Sequence, residues 1–235
     1  MKIAVIIPTY YREDGETIMN LVNIFSCLSN QTYQNYHIFL IGDDYKQQYL
    51  YQIQNLINSY PNLPITFKNL LLAKERSKYS ADDLWRTGGV NATNIGIQMA
   101  LEKKIEWCCC LDHDDMWDTS HLEELSNCLH KYPDIVFMCT KSTHFNYSIL
   151  PSIDDERKYI EYKPEPNALI KSSTCFKIND IRFRDVVKEN ISSNYAADGY
   201  FWKEYREWME VNKLGGKLIN VITCQHNEEG YIKQL

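Results

Sequence analysis

The sequence predicts an α/β fold, with a mostly parallel central sheet flanked by helices in a single domain of 235 residues. Three observations predict it. Short apolar runs, of the kind that form strands buried on both faces, alternate with segments whose apolar residues recur at helical spacing. The runs Lys2 to Pro8, Tyr36 to Ile41 and Ile105 to Leu111 each end in polar or acidic residues, and in such sheets ligands sit outside the carboxyl ends of the strands. The chain is 44% hydrophobic, enough to bury a sizeable core.

Lys2 to Pro8 is the first strand, and Pro8-Thr9-Tyr10-Tyr11-Arg12 breaks it into a loop. Ile18, Leu21, Val22, Phe25 and Leu28 share one helical face. Tyr36 to Ile41 is the second strand, ended by Gly42-Asp43-Asp44. Leu50, Ile53, Leu56 and Ile57 mark a second helix that Tyr60-Pro61 closes. Ile65 to Leu72 is a third strand, and the charged, weakly periodic stretch Lys74 to Gly89 is expected as a long loop. Asn91 is expected to cap the next helix, in which Ala92, Ile95, Gly96, Met99 and Ala100 form a small-residue face suited to close packing on a sheet. Ile105 to Leu111 is the fourth strand, residues 119–132 the helix after it, and Asp134 to Thr140 the fifth strand. Tyr147 to Pro166, carrying Pro151, Pro164 and Pro166, is expected as a loop excursion. Asn167 to Lys177 is a further strand. Ser193-Asn194 would cap a helix bearing Asp198, Phe201, Trp202, Tyr205, Trp208 and Met209, which Leu214 to Lys217 ends. Leu218 to Cys224 is the last strand and leads into Gln225-His226-Asn227.

A formal net charge of -6 argues against a general nucleic-acid binder, which needs a basic face. The eight cysteines show no disulfide framework, no C-x-x-C pair and no preceding secretory leader, so reduced thiols in a cytoplasmic compartment are expected. The apolar runs are too short to span a bilayer. A soluble chain is expected, with peripheral membrane contact left open.

The chemistry concentrates in Trp107-Cys108-Cys109-Cys110-Leu111-Asp112-His113-Asp114-Asp115-Met116-Trp117. An apolar strand ends in three carboxylates and an imidazole, and unpaired carboxylates are costly to bury. Hard cations such as Mg2+ and Mn2+ take carboxylate oxygens together with substrate phosphates, so the stretch reads as a metal and phosphate platform. The structural alternative, that these acids cap the next helix, is met by Ser120 with Glu123, which have capping-box spacing by themselves. His113 reads as a hydrogen-bonded or surface residue, and the cysteine triplet as packing. The aromatics beside Asp198 read as core before they read as a sugar platform.

Together these residues resemble the family 2 glycosyltransferases of the GT-A fold, a Rossmann-like sandwich, over almost the whole chain. Ile6-Ile7-Pro8-Thr9-Tyr10 is similar to the family's opening strand and nucleotide loop, Gly42-Asp43-Asp44 to its base-binding loop, and Asp112-His113-Asp114 to its D-x-D motif. Ala197-Asp198 with Arg206 resembles the segment that supplies the catalytic base, and Gly215-Gly216-Lys217 through His226 the terminal strand and histidine. The resemblance implies transfer of a sugar from a nucleotide donor, usually a UDP-sugar, to a hydroxyl of a glycan or other acceptor, with inversion and with Mn2+ or Mg2+. It implies that Pro8, Thr9, Tyr10, Arg12, Asp43 and Asp112 bind the nucleotide, with Tyr10 packing on the base and Asp43 accepting its N–H. Asp112, Asp114 and His226 would bind metal, and Asp198 would be the base. Trp202 and Arg206 are the acceptor-contact candidates. Residues 1–117 would form the nucleotide-sugar half and 118–235 the acceptor half. Thr93 stands where the family often carries an Arg for the diphosphate, a role Arg86 would have to fill, and Asp198 has no acidic partner before it.

Three other functions fit parts of the pattern. A catalytically inactive nucleotide-sugar-binding module would bind nucleotide without turnover. A nucleotidyltransferase would need a glycine-rich opening loop, whereas Pro8 to Gly15 holds only Gly15. A metal-dependent phosphohydrolase would suit the acids but not the tyrosine-lined opening loop.

Overall fold

A computed structural model describes residues 1–12, 14–72, 74–144, 148–191 and 195–227. Its first part runs β1 (Ile3–Thr9), α1 (Glu16–Ser29), β2 (Tyr36–Asp43), α2 (Gln47–Asn58), β3 (Ile65–Leu70), α3 (Ala81–Thr87), α4 (Val90–Glu102) and β4 (Trp107–Cys110). Then follow β5 (Met116–Trp117), α5 (His121–Lys131), β6 (Ile135–Thr143), β7 (Ile149–Leu150), β8 (Tyr159–Glu161), a 3-10 turn (Lys171–Ser173), β9 (Thr174–Lys177), α6 (Ala197–Val211) and β10 (Gly215–Gln225).

The sheet order is β3-β2-β1-β4-β9-β6-β10-β5, with β7 on β6 and β8 on β10. β1 pairs in parallel with β2 and β4, β2 with β3, and β10 with β6. β9 is inserted antiparallel between β4 and β6. Reversing twice across β9 restores the original direction, so β1, β2, β3, β4, β6 and β10 all end at one edge. The expected mostly parallel α/β sheet is present in these six strands, and the antiparallel β5, β7, β8 and β9 make it mixed.

Every residue of β1 is buried, as its unbroken apolar run requires. One face of the sheet packs Leu21, Phe25 and Leu28 of α1, Ile53 of α2, and Leu122 and Leu125 of α5. The other packs Ala92, Ile97 and Ala100 of α4 with Phe201, Trp202 and Tyr205 of α6. The small-residue face of α4 does what its composition suggests: a Cβ on Gly96 would lie 2.5 Å from Ile6 Cγ2.

Several local expectations are corrected. Lys74 to Gly89 is not an unstructured loop: it contains α3, and Asp185 accepts hydrogen bonds from Tyr79 Oη at 2.9 Å and Thr87 Oγ1 at 3.1 Å. Asn91 does not cap α4, because Gly89, in the left-handed region at φ 77, is the N-cap. The N–H of Asn91 instead donates to Glu75 Oε1 at 2.9 Å. Ser120 makes no side-chain cap bond. Gln31 Oε1, from the α1–β2 loop, accepts the Leu122 N–H at 3.1 Å, so the capping of α5 is tertiary. Tyr147 to Pro166 carries β7 and β8, and only the last part of Asn167 to Lys177 is strand. α6 ends at Val211 and the glycine pair opens β10. The proposed Ser193-Asn194 cap lies outside the described residues. Among the described residues, no helix is long and apolar enough to cross a membrane.

A pH prediction follows from the core. His121 is fully buried, stacks on Trp117 at 4.2 Å and bonds Thr223 Oγ1 through Nδ1 at 2.7 Å. Burial pushes its pKa down to about 3. The unfolded chain binds a proton near pH 6.5 that the folded chain refuses, so this stability is full above pH 6.5 and is lost as pH falls toward 3. His37, pushed down to about 4 by burial and nearby lysines, acts with the same sign. Between pH 7.5 and 5, His121 alone removes about 2 kcal/mol, a Tm fall of roughly 4–8 °C. Thermal unfolding of the wild type and of His121→Gln checks this, since the variant is expected to show a shallower slope. Equal slopes would refute it.

Candidate functional site

The ends of the parallel strands bring Tyr10, Asp43, the Asp112 to Asp115 turn and His226 to one edge of the sheet. At the β1 end, Thr9 Oγ1 and Tyr45 Oη lie 2.8 Å apart. The next residue, Tyr10, has the Arg76 guanidinium over its ring, 3.0 Å from the centroid, and meets the His113 ring edge-on at 5.2 Å. At the β2 end, Asp43 is only 7% exposed, and among the described residues neither carboxylate oxygen has a hydrogen-bond partner. Arg76 Nε stands 3.8 Å away, close enough for attraction but too far to bond. Burial, reinforced by Glu75 and opposed by Arg76, pushes the Asp43 pKa up to about 6. A buried carboxylate with both acceptors open beside a stacked aromatic and guanidinium is a site prepared for a planar N–H donor.

The β4 end folds into a tight turn in which Asp112 O accepts the Asp115 N–H at 3.1 Å. The three acids then diverge. Asp112 pairs with Lys171 Nζ at 2.6 Å, and its N–H donates to Ser172 Oγ at 3.1 Å. Asp114 is half-buried, and its backbone oxygen accepts from Asn227 Nδ2 at 2.8 Å. Asp115 is fully buried, and its Oδ1 accepts from His226 Nδ1 at 2.9 Å and from the Asn227 N–H at 3.1 Å. The acids therefore tie the β4 turn to the end of β10 and do not cap α5. Burial alone would disfavour the His226 imidazolium, but the Asp115 hydrogen bond and the charges of Asp115, Asp112 and Asp114 outweigh it and raise its pKa.

The donors suit a hard divalent cation in kind: two carboxylates from one turn and an imidazole whose Nδ1 proton is committed to Asp115, which leaves Nε2 as the ligating atom. Among the described residues no three such groups yet converge on one point, and the charge of Asp112 is already met by Lys171.

Asp198 lies in the first turn of α6, half-buried, with Oδ1 accepting the Gly199 N–H at 2.8 Å. Its charge is among those that hold the Lys171 ammonium protonated, which ties it to the Asp112 side of the edge.

Two candidates do not reach this edge. Trp202 is 1% exposed and packs on Phe137 and Phe176 in the core, so no face of its ring is open to an acceptor. Arg206 pairs with Glu165 and Glu210 at 2.6 and 3.1 Å. It lies eight residues along α6 from Asp198, about 12 Å, beside the amino end of β10. Arg12 is paired with Asp14 and Glu16 of the α1 entry at 2.8 and 3.1 Å. Arg86 lies in the last turn of α3; the guanidinium over Tyr10 and beside Asp43 is that of Arg76. Thr93 is buried within α4. Sequence reasoning passed over Arg76, Glu75 and Lys171, and the one signal for the first two was the charge density of Lys74-Glu75-Arg76.

Residues 4–190 match the family model described as glycosyl transferase family 2. The sequence is 30% identical to an uncharacterized glycosyltransferase of Acanthamoeba polyphaga mimivirus over 245 residues, 99% of this chain and 96% of that protein. Among solved structures, the fold is similar to S. aureus TarS, with a TM-score of 0.65 at 15% identity over 97% of this chain and 37% of that one. It is also similar to TarS 1-349 in complex with UDP, with a TM-score of 0.65 at 14% identity over 96% and 60%. A third likeness is to mannosyltransferase PcManGT from Pyrobaculum calidifontis in complex with GDP-Man and Mn2+, with a TM-score of 0.55 at 13% identity over 97% and 58%. The chain thus spans less than two thirds of each of these structural relatives. With a family model matching most of the chain, a full-length relative at 30% identity and a GT-A architecture, this protein belongs to glycosyltransferase family 2.

Proposed function

We propose that the chain transfers a sugar from a UDP-sugar to a hydroxyl of a glycan or another acceptor, in the cytoplasm, with inversion at the anomeric carbon and with Mn2+ or Mg2+. The observation that carries the donor assignment is Asp43, a buried carboxylate with two unfilled acceptors beside the Tyr10–Arg76 stack. The imide N–H of uracil supplies the missing donor, whereas the corresponding ring nitrogen of cytosine is an acceptor and leaves the carboxylate unmet. The complexes of TarS with UDP and UDP-GlcNAc support this choice; the GDP-Man complex of PcManGT makes GDP the comparison to run.

In this reading Pro8, Thr9 and Tyr10 line the nucleotide pocket, and Arg12 lies at its rim. Asp112, Asp114 and His226 would hold the divalent ion, which when bound neutralises charge on the departing diphosphate. Asp198 accepts the proton of the acceptor hydroxyl as its oxygen attacks the anomeric carbon. The bond from that carbon to the diphosphate oxygen breaks, leaving UDP and the glycosylated acceptor, with the proton on the Asp198 carboxyl. Residues 1–117 serve the donor and 118–235 mainly the acceptor.

Calorimetry with UDP, CDP and GDP, in Mn2+ and in EDTA, tests the assignment. UDP is expected to bind about tenfold or more tightly than CDP. Asp114→Asn is expected to weaken binding in Mn2+ about tenfold, with the EDTA value unchanged. UDP-sugars are then ranked by UDP release. Absence of nucleotide binding in every condition would sink the proposal.

A further inference from the structure

Because β9 runs against β4 and β6, it begins at the edge where they end, and the 3-10 turn before it delivers Lys171 to the acidic cluster. The turn is anchored on both sides. Ser172 Oγ accepts the Asp112 N–H at 3.1 Å, and Ser172 O accepts the Trp117 indole N–H at 2.7 Å. Lys171 Nζ lies 2.6 Å from Asp112 Oδ1, with its side chain 15% exposed. That contact puts an ammonium on the D-x-D carboxylate that a divalent ion would need. Only one of its three N–H donors is committed to that carboxylate by the contacts described.

We propose that Lys171 is a donor-binding residue that exchanges with the divalent ion: it neutralises Asp112 when metal is absent, yields that carboxylate to the ion, and contacts the β-phosphate of the nucleoside diphosphate. The inference rests on the metal-assisted UDP-sugar reading above. Two effects of opposite sign follow from removing the ammonium. Asp112 is freed, so the ion alone binds more tightly; the β-phosphate loses a cation, so metal-free UDP binds more weakly. A purely structural lysine would move both affinities down together or neither.

The test titrates Mn2+ alone, and UDP and UMP in EDTA, against the full chain as wild type, Lys171→Met and Lys171→Arg. Wild type in EDTA is expected to favour UDP over UMP about tenfold. Lys171→Met is expected to bring that ratio to within about twofold of unity and to tighten Mn2+ about three- to tenfold, while Lys171→Arg keeps the discrimination. Unchanged or weakened Mn2+ binding in Lys171→Met overturns the proposal. So does a wild-type UDP to UMP ratio near unity in EDTA, a measurement that needs no variant to fold. If wild type binds UDP and UMP equally, this inference alone fails. If it binds no nucleotide in any condition, the donor reading fails with it.

Discussion

Asp198→Asn is expected to lower sugar transfer by roughly 10²- to 10⁴-fold while leaving UDP affinity within about twofold. Asparagine keeps the shape of the side chain, and its carbonyl oxygen still accepts the Gly199 N–H that Asp198 Oδ1 accepts at 2.8 Å. The start of α6 is therefore preserved, and Lys171 keeps its Asp112 partner at 2.6 Å. What disappears is the one basic oxygen in the Tyr195 to Gly199 segment, and with it the route for the proton of the attacking hydroxyl. The nucleotide corner at Tyr10, Arg76 and Asp43 is built on different strand ends, so binding and turnover separate. Calorimetry with UDP and UDP release from the productive UDP-sugar read the two quantities. A variant that turns over at the wild-type rate would remove Asp198 from the chemistry, and one that loses UDP binding would make its role structural.

The strand ends were legible because periodicity and polarity change together there. An apolar run that stops at Asp43, or at Asp112, marks both a buried strand and the end of its burial, so the edge holding Tyr10, Asp43 and Asp112 follows from local pattern, whereas His226 was legible only through the motif of the terminal strand. Asp198 was legible only through the motif around it. The missed residues act across the chain. Arg76 reaches Tyr10 from a segment with weak periodicity, and Gln31 caps a helix that begins ninety residues later. Lys171 depends on the antiparallel insertion of β9, a strand of four residues that alternation could not distinguish from the parallel ones. Trp202 failed for the opposite reason. An aromatic on an amphipathic helix carries the same local signal whether it faces a ligand or the core, and Phe137 and Phe176 on the sheet decide for the core.

Asp115→Asn is expected to lower Mn2+-dependent turnover by about 10- to 100-fold without altering UDP binding in EDTA. Asp115 is not one of the D-x-D pair, yet it is the most buried acid of the turn and the one that orients two groups at the end of β10. Its Oδ1 accepts from His226 Nδ1 and from the Asn227 N–H. The carboxylate forces the His226 proton onto Nδ1 and supplies the charge that makes Nε2 a better ligand. A neutral amide retains one acceptor but loses that charge, and the fall in His226 basicity weakens the ion. Asp115→Ala goes further, leaving the Asn227 N–H and the imidazole without their acceptor in a buried setting. It is expected to cost about 3 kcal/mol, a Tm fall of roughly 6–12 °C. The two substitutions separate function from folding: Asp115→Asn should keep most of its Tm while losing Mn2+ affinity in calorimetry, and Asp115→Ala should lose both. Wild-type Mn2+ affinity in Asp115→Asn would mean that His226 is held for the fold alone, and the ion would then have to be bound by the Asp112 to Asp114 turn without it.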